Sequence, residues 1–175
     1  MTEPVDPGRR AFVTGQLLEE KPPPAPPLGP APPWLAEVIS PAVCGDCAGP
    51  CVEACPERIV LRHPENHPQA GRAYLDFQLS ACTFCRACVD VCPVAPSPLP
   101  EGRALAAVTL DTGTCLAAKG IVCVMCVARC PERAVRAGPS GAVSIEAAAC
   151  TGCGACIPAC PVDALASVER VENPS

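Results

Sequence analysis

Three short stretches of alternating or β-branched residues, each with an acidic residue near its end, recur at nearly equal spacing along the chain. They are residues 73–77 (AYLDF), 107–111 (AVTLD) and 142–146 (AVSIE). Alternation and β-branched or aromatic side chains favour strands, and regular spacing identifies a repeated structural unit. The pattern therefore predicts one short strand ahead of each repeat.

Cys-Pro pairs mark the other half of the repeat. Three of them lead into brief amphipathic segments at residues 57–60 (ERIV), 132–135 (ERAV) and 162–165 (VDAL). Because proline suits the first position of a helix, each segment is predicted to be a short helix. The predicted fold class is α+β, made of small modules with short helices and short β-hairpins.

The first 33 residues have a different composition. Eight prolines lie between residues 22 and 33, and such density favours an extended polyproline II linker and excludes helix. Trp34 follows the linker and is predicted to anchor the incoming chain at the rim of the folded part.

All sixteen cysteines fall in four motifs that end on Cys-Pro. The motifs are Cys44-x2-Cys47-x3-Cys51-x3-Cys55, Cys82-x2-Cys85-x2-Cys88-x3-Cys92, Cys115-x7-Cys123-x2-Cys126-x3-Cys130 and Cys150-x2-Cys153-x2-Cys156-x3-Cys160. The second and fourth match the run of bacterial ferredoxins, in which three thiolates hold one [4Fe-4S] cluster and the fourth reaches a second cluster. The sequence therefore predicts four [4Fe-4S] clusters, with all sixteen cysteines as ligands.

The first and third motifs are looser than the other two. One extra residue separates Cys47 from Cys51, and seven residues separate Cys115 from Cys123. Either departure is compatible with a [3Fe-4S] cluster or a lost site. Each motif keeps four cysteines, which favours a four-iron cluster.

The apolar fraction also points to clusters as the core. It is 49% but includes the cysteines, and aromatic residues are only 3%, so little conventional packing material remains. Structural zinc, the main alternative, is usually held by two C-x2-C pairs far apart in sequence. Three cysteines within seven residues, as in the second and fourth motifs, suit a cluster instead. Gly152 and Gly154 would let backbone N–H groups approach its sulfurs.

Net charge and the lack of a recognisable targeting signal narrow the expected partners and the expected cellular location. The net charge is −5, and bound thiolates make it more negative, which excludes nucleic acid as the expected partner. Arg9 and Arg10 are followed by no apolar stretch of the kind an export signal needs, and no apolar run is long enough for a membrane span. The expectation is a soluble, cytoplasmic protein with reduced thiols.

Catalytic signatures are missing from the sequence. His63 and His67 fall in a polar loop and are predicted to be solvated, and no dinucleotide or phosphate-binding glycine loop occurs. No C-x3-C-x2-C triplet with an open iron position occurs either. The prediction is electron transfer, with no enzymatic activity of its own.

The assembled motifs resemble the NapF family, the ferredoxin-type accessory proteins of the periplasmic nitrate reductase system. The resemblance rests on residues 9–12 (RRAF), 32–34 (PPW), 83–88 (TFCRAC), the stretched third motif and residues 152–156 (GCGAC). It implies a cytoplasmic four-cluster protein that binds the molybdenum-containing catalytic subunit before export and assists its maturation. The extra residue in the first motif and the long proline linker depart from the family pattern.

Two further functional hypotheses stay open. One is a permanent electron-transfer subunit of another oxidoreductase complex, and the other is a zinc-stapled adaptor. For the leading hypothesis, Arg9, Arg10 and Phe12 form a cationic and apolar spot that is predicted to bind the partner. The alternative for this segment is a dispensable disordered tail.

Exchange of the fourth cysteine requires the motifs to work in pairs, giving two double-cluster lobes. Neighbouring motifs can pair, or the second and third can form a lobe nested inside the first and fourth. The connections between motifs are 26, 22 and 19 residues long, and these lengths do not distinguish the two pairing schemes. Resemblance to four-cluster subunits of molybdopterin enzymes implies nesting, with Cys55 joining the fourth motif. The predicted division is a flexible segment at 1–33, the outer lobe at 34–72 and 141–168, the inner lobe at 73–140 and a tail at 169–175.

Overall fold

The structure, a computed structural model, describes residues 29–32, 44–93 and 105–168. Within these ranges the helices are α1 (Pro50–Ala54), α2 (Ala87–Asp90) and α3 (Met125–Arg129). The strands are β1 (Val60–Arg62), β2 (Ala73–Leu75), β3 (Ala107–Leu110), β4 (Val135–Ala137), β5 (Val143–Ile145) and β6 (Leu165–Val168). These short helices and strands agree with the predicted α+β class.

The strands form three antiparallel pairs. β1 pairs with β2, so that Val60 lies opposite Leu75. β4 pairs with β5, and β3 pairs with β6, so that Leu110 lies opposite Leu165. Since β1 and β2 lie between the first two motifs, while β3 to β6 surround the last two, residues 44–93 form a first lobe and residues 105–168 form a second lobe.

This pairing contradicts the predicted inner lobe at residues 73–140 and the outer lobe around it. β2 joins the first motif's strand β1 instead of a strand from the third motif. The connection from β1 to β2 spans only residues 63–72, and the one from β4 to β5 only residues 138–142. Short connections of this kind cost little loop-closure entropy, which favours pairing between neighbours.

The short helices are also placed differently from the prediction. They lie before the first three Cys-Pro pairs, around Cys51, Cys88 and Cys126, whereas residues 57–60, 132–135 and 162–165 form turns that lead into strands. The third residue after the cysteine has a left-handed backbone at Arg58, Arg133 and Asp163, with φ of 55°, 54° and 50°. A left-handed residue is incompatible with a right-handed helix, so the chain turns and enters a strand.

Residues 29–32 at the end of the proline-rich segment belong to the folded part. The backbone N–H of Leu75 donates a hydrogen bond of 2.9 Å to the carbonyl oxygen of Pro30. The side chains of Pro30 and Pro32 are buried, and a Cβ on Gly29 would overlap the carbonyl of Leu75. The predicted linker at 1–33 is therefore wrong for its last residues. Residues 1–28, Trp34 and the tail at 169–175 lie outside the described residues.

The core is small and made mostly of aliphatic and cysteine side chains, as the composition predicted, with Phe77 as its buried aromatic residue. Phe77, Leu75 and Val60 are the largest of the fully buried side chains. The buried cysteines are Cys55, Cys115, Cys126, Cys153 and Cys156. These five cysteines face the interior, whereas Cys85 is exposed and the other ten are partly buried.

Candidate metal centres

The first three cysteines of the first motif meet the last cysteine of the second motif. Burial raises the pKa of the Cys51 thiol, and the neighbouring thiols of Cys92, Cys44 and Cys47 raise it further because like charges disfavour ionisation. Cys92 closes the second motif, so the two motifs exchange a cysteine. These four cysteines form the first quartet.

Cys55 makes the reciprocal exchange. Burial raises the pKa of Cys88 to about 12, and the adjacent thiols of Cys55, Cys82 and Cys85 contribute. These four cysteines, the second quartet, line one cavity together with Ile59, Leu75 and Leu105. The predicted placement of Cys55 beside the fourth motif is therefore wrong, because Cys55 lies beside the second.

The second lobe repeats the arrangement. Burial raises the pKa of Cys156 to about 12, with the thiols of Cys150, Cys153 and Cys130 as neighbours. Cys130 ends the third motif, so it joins the three leading cysteines of the fourth motif in what we name the fourth quartet.

The remaining site of the second lobe contains the stretched third motif. The pKa of Cys126 is raised by burial and by the nearby thiols of Cys123 and Cys115. Residues 115–121 form a closed turn in which the N–H groups of Lys119 and Ile121 bond the carbonyls of Cys115 and Leu116. The seven residues between Cys115 and Cys123 therefore form a loop of their own and leave Cys115 beside Cys126. Val122 at the end of this turn is 96% exposed.

Backbone N–H groups point at several of the sulfurs. Ala134 N–H donates to Cys130 Sγ and Ala164 N–H donates to Cys160 Sγ, both at 3.2 Å. Gly49 and Phe84 donate in the same way to Cys47 and Cys82, at 3.4 Å. Donors aimed at sulfur stabilise thiolate charge and tune iron–sulfur potentials. The left-handed turns after Cys130 and Cys160 are what bring the alanine N–H groups into place.

The second and fourth motifs need left-handed backbone at the same two positions. The fourth uses Gly152 and Gly154, with φ of 69° and 80°, and the second uses Phe84 and Arg86, with φ of 57° and 65°. A Cβ on Gly152 would lie 2.3 Å from the carbonyl oxygen of Ala106. Glycine is required in the fourth motif by close packing, whereas Phe84 and Arg86 are exposed and adopt the strained conformation without a clash.

Arg62 is a site residue that the sequence reasoning missed. Its Nη2 donates to the carbonyl of Cys44 at 2.9 Å and its Nε to that of Gly71 at 2.8 Å, with longer contacts to Gly45 and Ala48. The guanidinium therefore closes the enlarged loop of the first motif. No motif spacing marks this residue, because it lies 18 positions from Cys44 in sequence.

His63 is not the solvated histidine that the sequence predicted. It is only 5% exposed, and its ring stacks on His67 and Tyr74 with centroids 4.4 and 4.6 Å away. Burial lowers its pKa, and the neighbouring His67 and Arg72 lower it further. Its Nδ1 is buried without a hydrogen-bond partner.

The residues present fit iron–sulfur clusters. Thiolates from two motifs converge in each lobe, amide donors face the sulfurs, and Thr151 beside Cys150 has a buried hydroxyl oxygen with no protein partner. Across the described ranges, no group of three His, Cys, Asp or Glu is placed to hold a single metal ion. Arg9, Arg10 and Phe12, the predicted partner-binding residues, lie outside the described residues.

None of the helices in the described part of the chain is long and apolar enough to cross a membrane.

The 4Fe-4S dicluster domain family matches residues 43–95 and 119–164, one match in each lobe. The chain therefore belongs to this family, whose members carry two clusters in each domain.

The comparison with individual proteins is more specific. The chain is 28% identical over 166 residues to the ferredoxin-type protein NapF of Escherichia coli K12, covering 92% of this chain and 94% of that protein. It is 34% identical over 157 residues to the methylamine utilization ferredoxin-type protein MauM of Methylobacillus flagellatus, covering 80% and 67%. It is 30% identical over 145 residues to the ferredoxin-type protein NapG of Haemophilus influenzae, covering 71% and 52%. The chain is homologous to NapF and NapG, which confirms the resemblance found in the sequence.

Proposed function

We propose that each of four cysteine quartets holds one [4Fe-4S] cluster. The observation that carries this proposal is the reciprocal exchange in the first lobe, with Cys92 beside Cys51 and Cys55 beside Cys88. By the same exchange, Cys160 completes the site of the third motif. The ligand sets are Cys44, Cys47, Cys51 and Cys92; Cys82, Cys85, Cys88 and Cys55; Cys115, Cys123, Cys126 and Cys160; and Cys150, Cys153, Cys156 and Cys130.

The raised pKa values of the buried thiols indicate what bound iron would do at these sites. In the absence of positive charge, the burial that raises the pKa of Cys88 and Cys156 keeps both thiols protonated at neutral pH. Binding therefore requires release of thiol protons, and the bound iron offsets the repulsion between neighbouring thiolates. When bound, the clusters supply one-electron redox chemistry, while the protein excludes water and aims N–H groups at the sulfurs.

The function that these sites support is electron transfer between proteins. All four proposed quartets use four cysteines, so each cluster has its full thiolate set and no iron is left for a substrate. Following the homology to NapF, the protein acts in the cytoplasm on the molybdenum-containing catalytic subunit of periplasmic nitrate reductase, supplying electrons or assisting its maturation before export.

Metal analysis of anaerobically purified protein tests whether four iron–sulfur clusters are bound. The expected content is about sixteen iron and about sixteen acid-labile sulfide per chain, with a brown colour that dithionite bleaches. Iron chelation is expected to unfold the protein, because its aliphatic core is small. A protein rich in zinc and free of sulfide would refute the proposal.

Affinity capture from an anaerobic extract tests the partner. The full chain is expected to retain the molybdenum subunit, and deletion of residues 1–20 is expected to weaken this binding while iron content stays the same. A variant with Arg9 and Arg10 changed to lysine keeps the charge and serves as the control. Unchanged binding after the deletion would remove the docking role of Arg9, Arg10 and Phe12. A complex that survives gel filtration would instead indicate a permanent electron-transfer subunit.

A further inference from the structure

The two lobes meet through their cysteine loops. The backbone N–H of Cys82, in the first lobe, donates a hydrogen bond of 2.8 Å to the carbonyl oxygen of Cys153, in the second. The thiol of Cys153 is also close enough to that of Cys82 for their charges to interact. Two cysteines assigned to different clusters are therefore joined directly across the lobe boundary.

The surrounding side chains hold this contact tightly. Phe77 of the first lobe is only 2% exposed, and a Cβ added to Gly154 would lie 2.2 Å from its ring. From the second lobe, Leu105 lines the cavity of the second quartet, and its N–H bonds the carbonyl of Thr151. The boundary is thus packed like a protein interior, with no room for an intervening water layer at Gly154.

The position of this contact determines which clusters are central. Cys82 belongs to the second quartet and Cys153 to the fourth quartet. Within each lobe the two sites are already linked, because each motif contributes one cysteine to the other site. The first-motif and third-motif sites therefore lie at the two ends of the arrangement.

We propose that the Cys82–Cys153 contact is an electron path between the lobes, giving the cluster order first, second, fourth, third. One electron enters an end cluster from a protein donor, moves between neighbouring clusters without any atom transfer, and leaves at the other end to a protein acceptor. Each reduced cluster would pass its electron to the next and be reoxidised, so that the donor loses one electron, the acceptor gains one, and the protein returns to its starting state. This inference rests on the proposed ligand sets.

Two double variants of the full chain test the order. C47A/C123A removes one ligand from each end cluster, and C85A/C153A removes one from each central cluster, so the two variants lose the same number of thiolates. Both are reduced anaerobically and compared by electron paramagnetic resonance, with iron analysis to establish which clusters remain. C47A/C123A is expected to keep signals broadened by spin–spin interaction between adjacent clusters. C85A/C153A is expected to give two separate, unbroadened signals.

Unbroadened signals from C47A/C123A would overturn the proposal. If either double variant fails to bind iron, the contact between the lobes is tested in proteins that keep all sixteen cysteines. The measurement is hydrogen exchange at the Cys82 amide, which donates to Cys153. The amide is expected to be protected in the wild type and to exchange about tenfold faster in G154A, where the added methyl meets Phe77. G120A is the matched control, since Gly120 has φ of 79° against 80° at Gly154, but nothing within 4 Å.

An unprotected Cys82 amide in the wild type, or equal exchange in G154A and G120A, would also overturn the proposal. These results are separate from the test of the proposed function. The iron and sulfide content of the wild type decides whether clusters are bound, and it is unaffected by whether the lobes touch through Cys82 and Cys153.

Discussion

The guanidinium of Arg62 donates a hydrogen bond of 2.9 Å to the carbonyl oxygen of Cys44. Gly49 and Gly71 leave room for this side chain, since a Cβ on either would lie within 3.0 Å of it. Arg62 thus places a positive charge and several donors against the loop that carries the first three cysteines. It compensates for the extra residue of the first motif by fixing the enlarged loop.

Replacing Arg62 by glutamine is therefore expected to weaken the first cluster selectively. The loop loses its hydrogen bonds and the cluster loses a neighbouring positive charge, so its reduction potential falls. During controlled exposure to air, about four of the roughly sixteen iron atoms are expected to leave before the rest. Iron analysis with a redox titration measures both effects.

Arg136→Gln is the control for this experiment. Arg136 is an exposed residue of strand β4 and pairs with Glu146 at 3.1 Å, an ion pair of the surface type that contributes little stability. Its replacement is expected to leave iron retention unchanged. Equal iron loss in both variants would show that Arg62 does not act through the first motif. Arg62→Lys, which keeps the charge without the planar fork, separates the two contributions.

Gly152→Ala is expected to abolish the fourth-motif cluster. The added methyl would lie 2.3 Å from the carbonyl oxygen and 2.4 Å from the nitrogen of Ala106, and backbone atoms cannot move aside as a flexible side chain does. Gly141→Ala shares the left-handed backbone, with φ of 81°, but meets nothing within 4 Å, so it should cost only about 1 kcal/mol. Thermal unfolding and iron content compare the two variants, and similar losses in both would contradict the packing argument.

Arg133→Gly is expected to stabilise the holoprotein by roughly 0.5 to 1 kcal/mol. Arg133 adopts φ of 54°, a conformation that glycine reaches without the steric cost of a Cβ. The visible spectrum should not change, because the Ala134 N–H still reaches Cys130 Sγ. Denaturant unfolding under anaerobic conditions gives the free energies. Arg136→Gly, at the second residue of strand β4, should destabilise the protein instead. A loss of stability in both variants would count against the left-handed turn.

His63 makes stability depend on pH. Because burial lowers its pKa in the folded state, the unfolded chain binds the proton more readily, and stability must fall as pH drops below the unfolded value near 6.5. Above that pH both states are neutral and the effect vanishes. His63→Phe keeps the stack on Tyr74 and is expected to flatten this part of the pH profile.

Denaturant midpoints between about pH 5 and pH 8 measure this effect. His67→Phe is the control, since His63 stays in place and the decline at low pH should persist. The removal of the unpartnered Nδ1 also predicts that His63→Phe is no less stable than the wild type at pH 8. An identical pH profile in the wild type and His63→Phe would exclude the histidine as the cause.

Local sequence patterns predicted three of the strands correctly and placed the short helices wrongly. β2, β3 and β5 lie where their β-branched and aromatic residues placed them, because alternation along a few residues depends on nothing distant. Val60, Val135 and Leu165 were predicted to be helical but begin strands. A left-handed residue two positions earlier, such as Arg58, ends any helix and starts the strand, and an arginine or aspartate in the sequence does not reveal a positive φ.

The nested pairing of motifs was predicted from the resemblance to four-cluster subunits of molybdopterin enzymes, and strands β1 and β4, which were not predicted, contradict it. With those strands in place, the chain between the first two cysteine motifs contains a complete hairpin, and neighbour pairing follows from its short connection. The sixteen cysteines are candidate ligands from the sequence alone, because their residue type and spacing are visible there, and their ligand role stays a prediction. Arg62 and the Cys82–Cys153 contact were not predictable, because both depend on how distant segments fold against each other.

Pairing of neighbouring motifs has a consequence for biosynthesis. Every cysteine of the first lobe has left the ribosome once residue 93 is clear, and domains made from continuous chain fold in the order of their synthesis. In a nested arrangement the thiols of the first motif would wait, unprotected, until residue 160 had been made. The first lobe can thus bind iron while the second lobe is still being synthesised, which shortens the time that its thiols are exposed to oxidants.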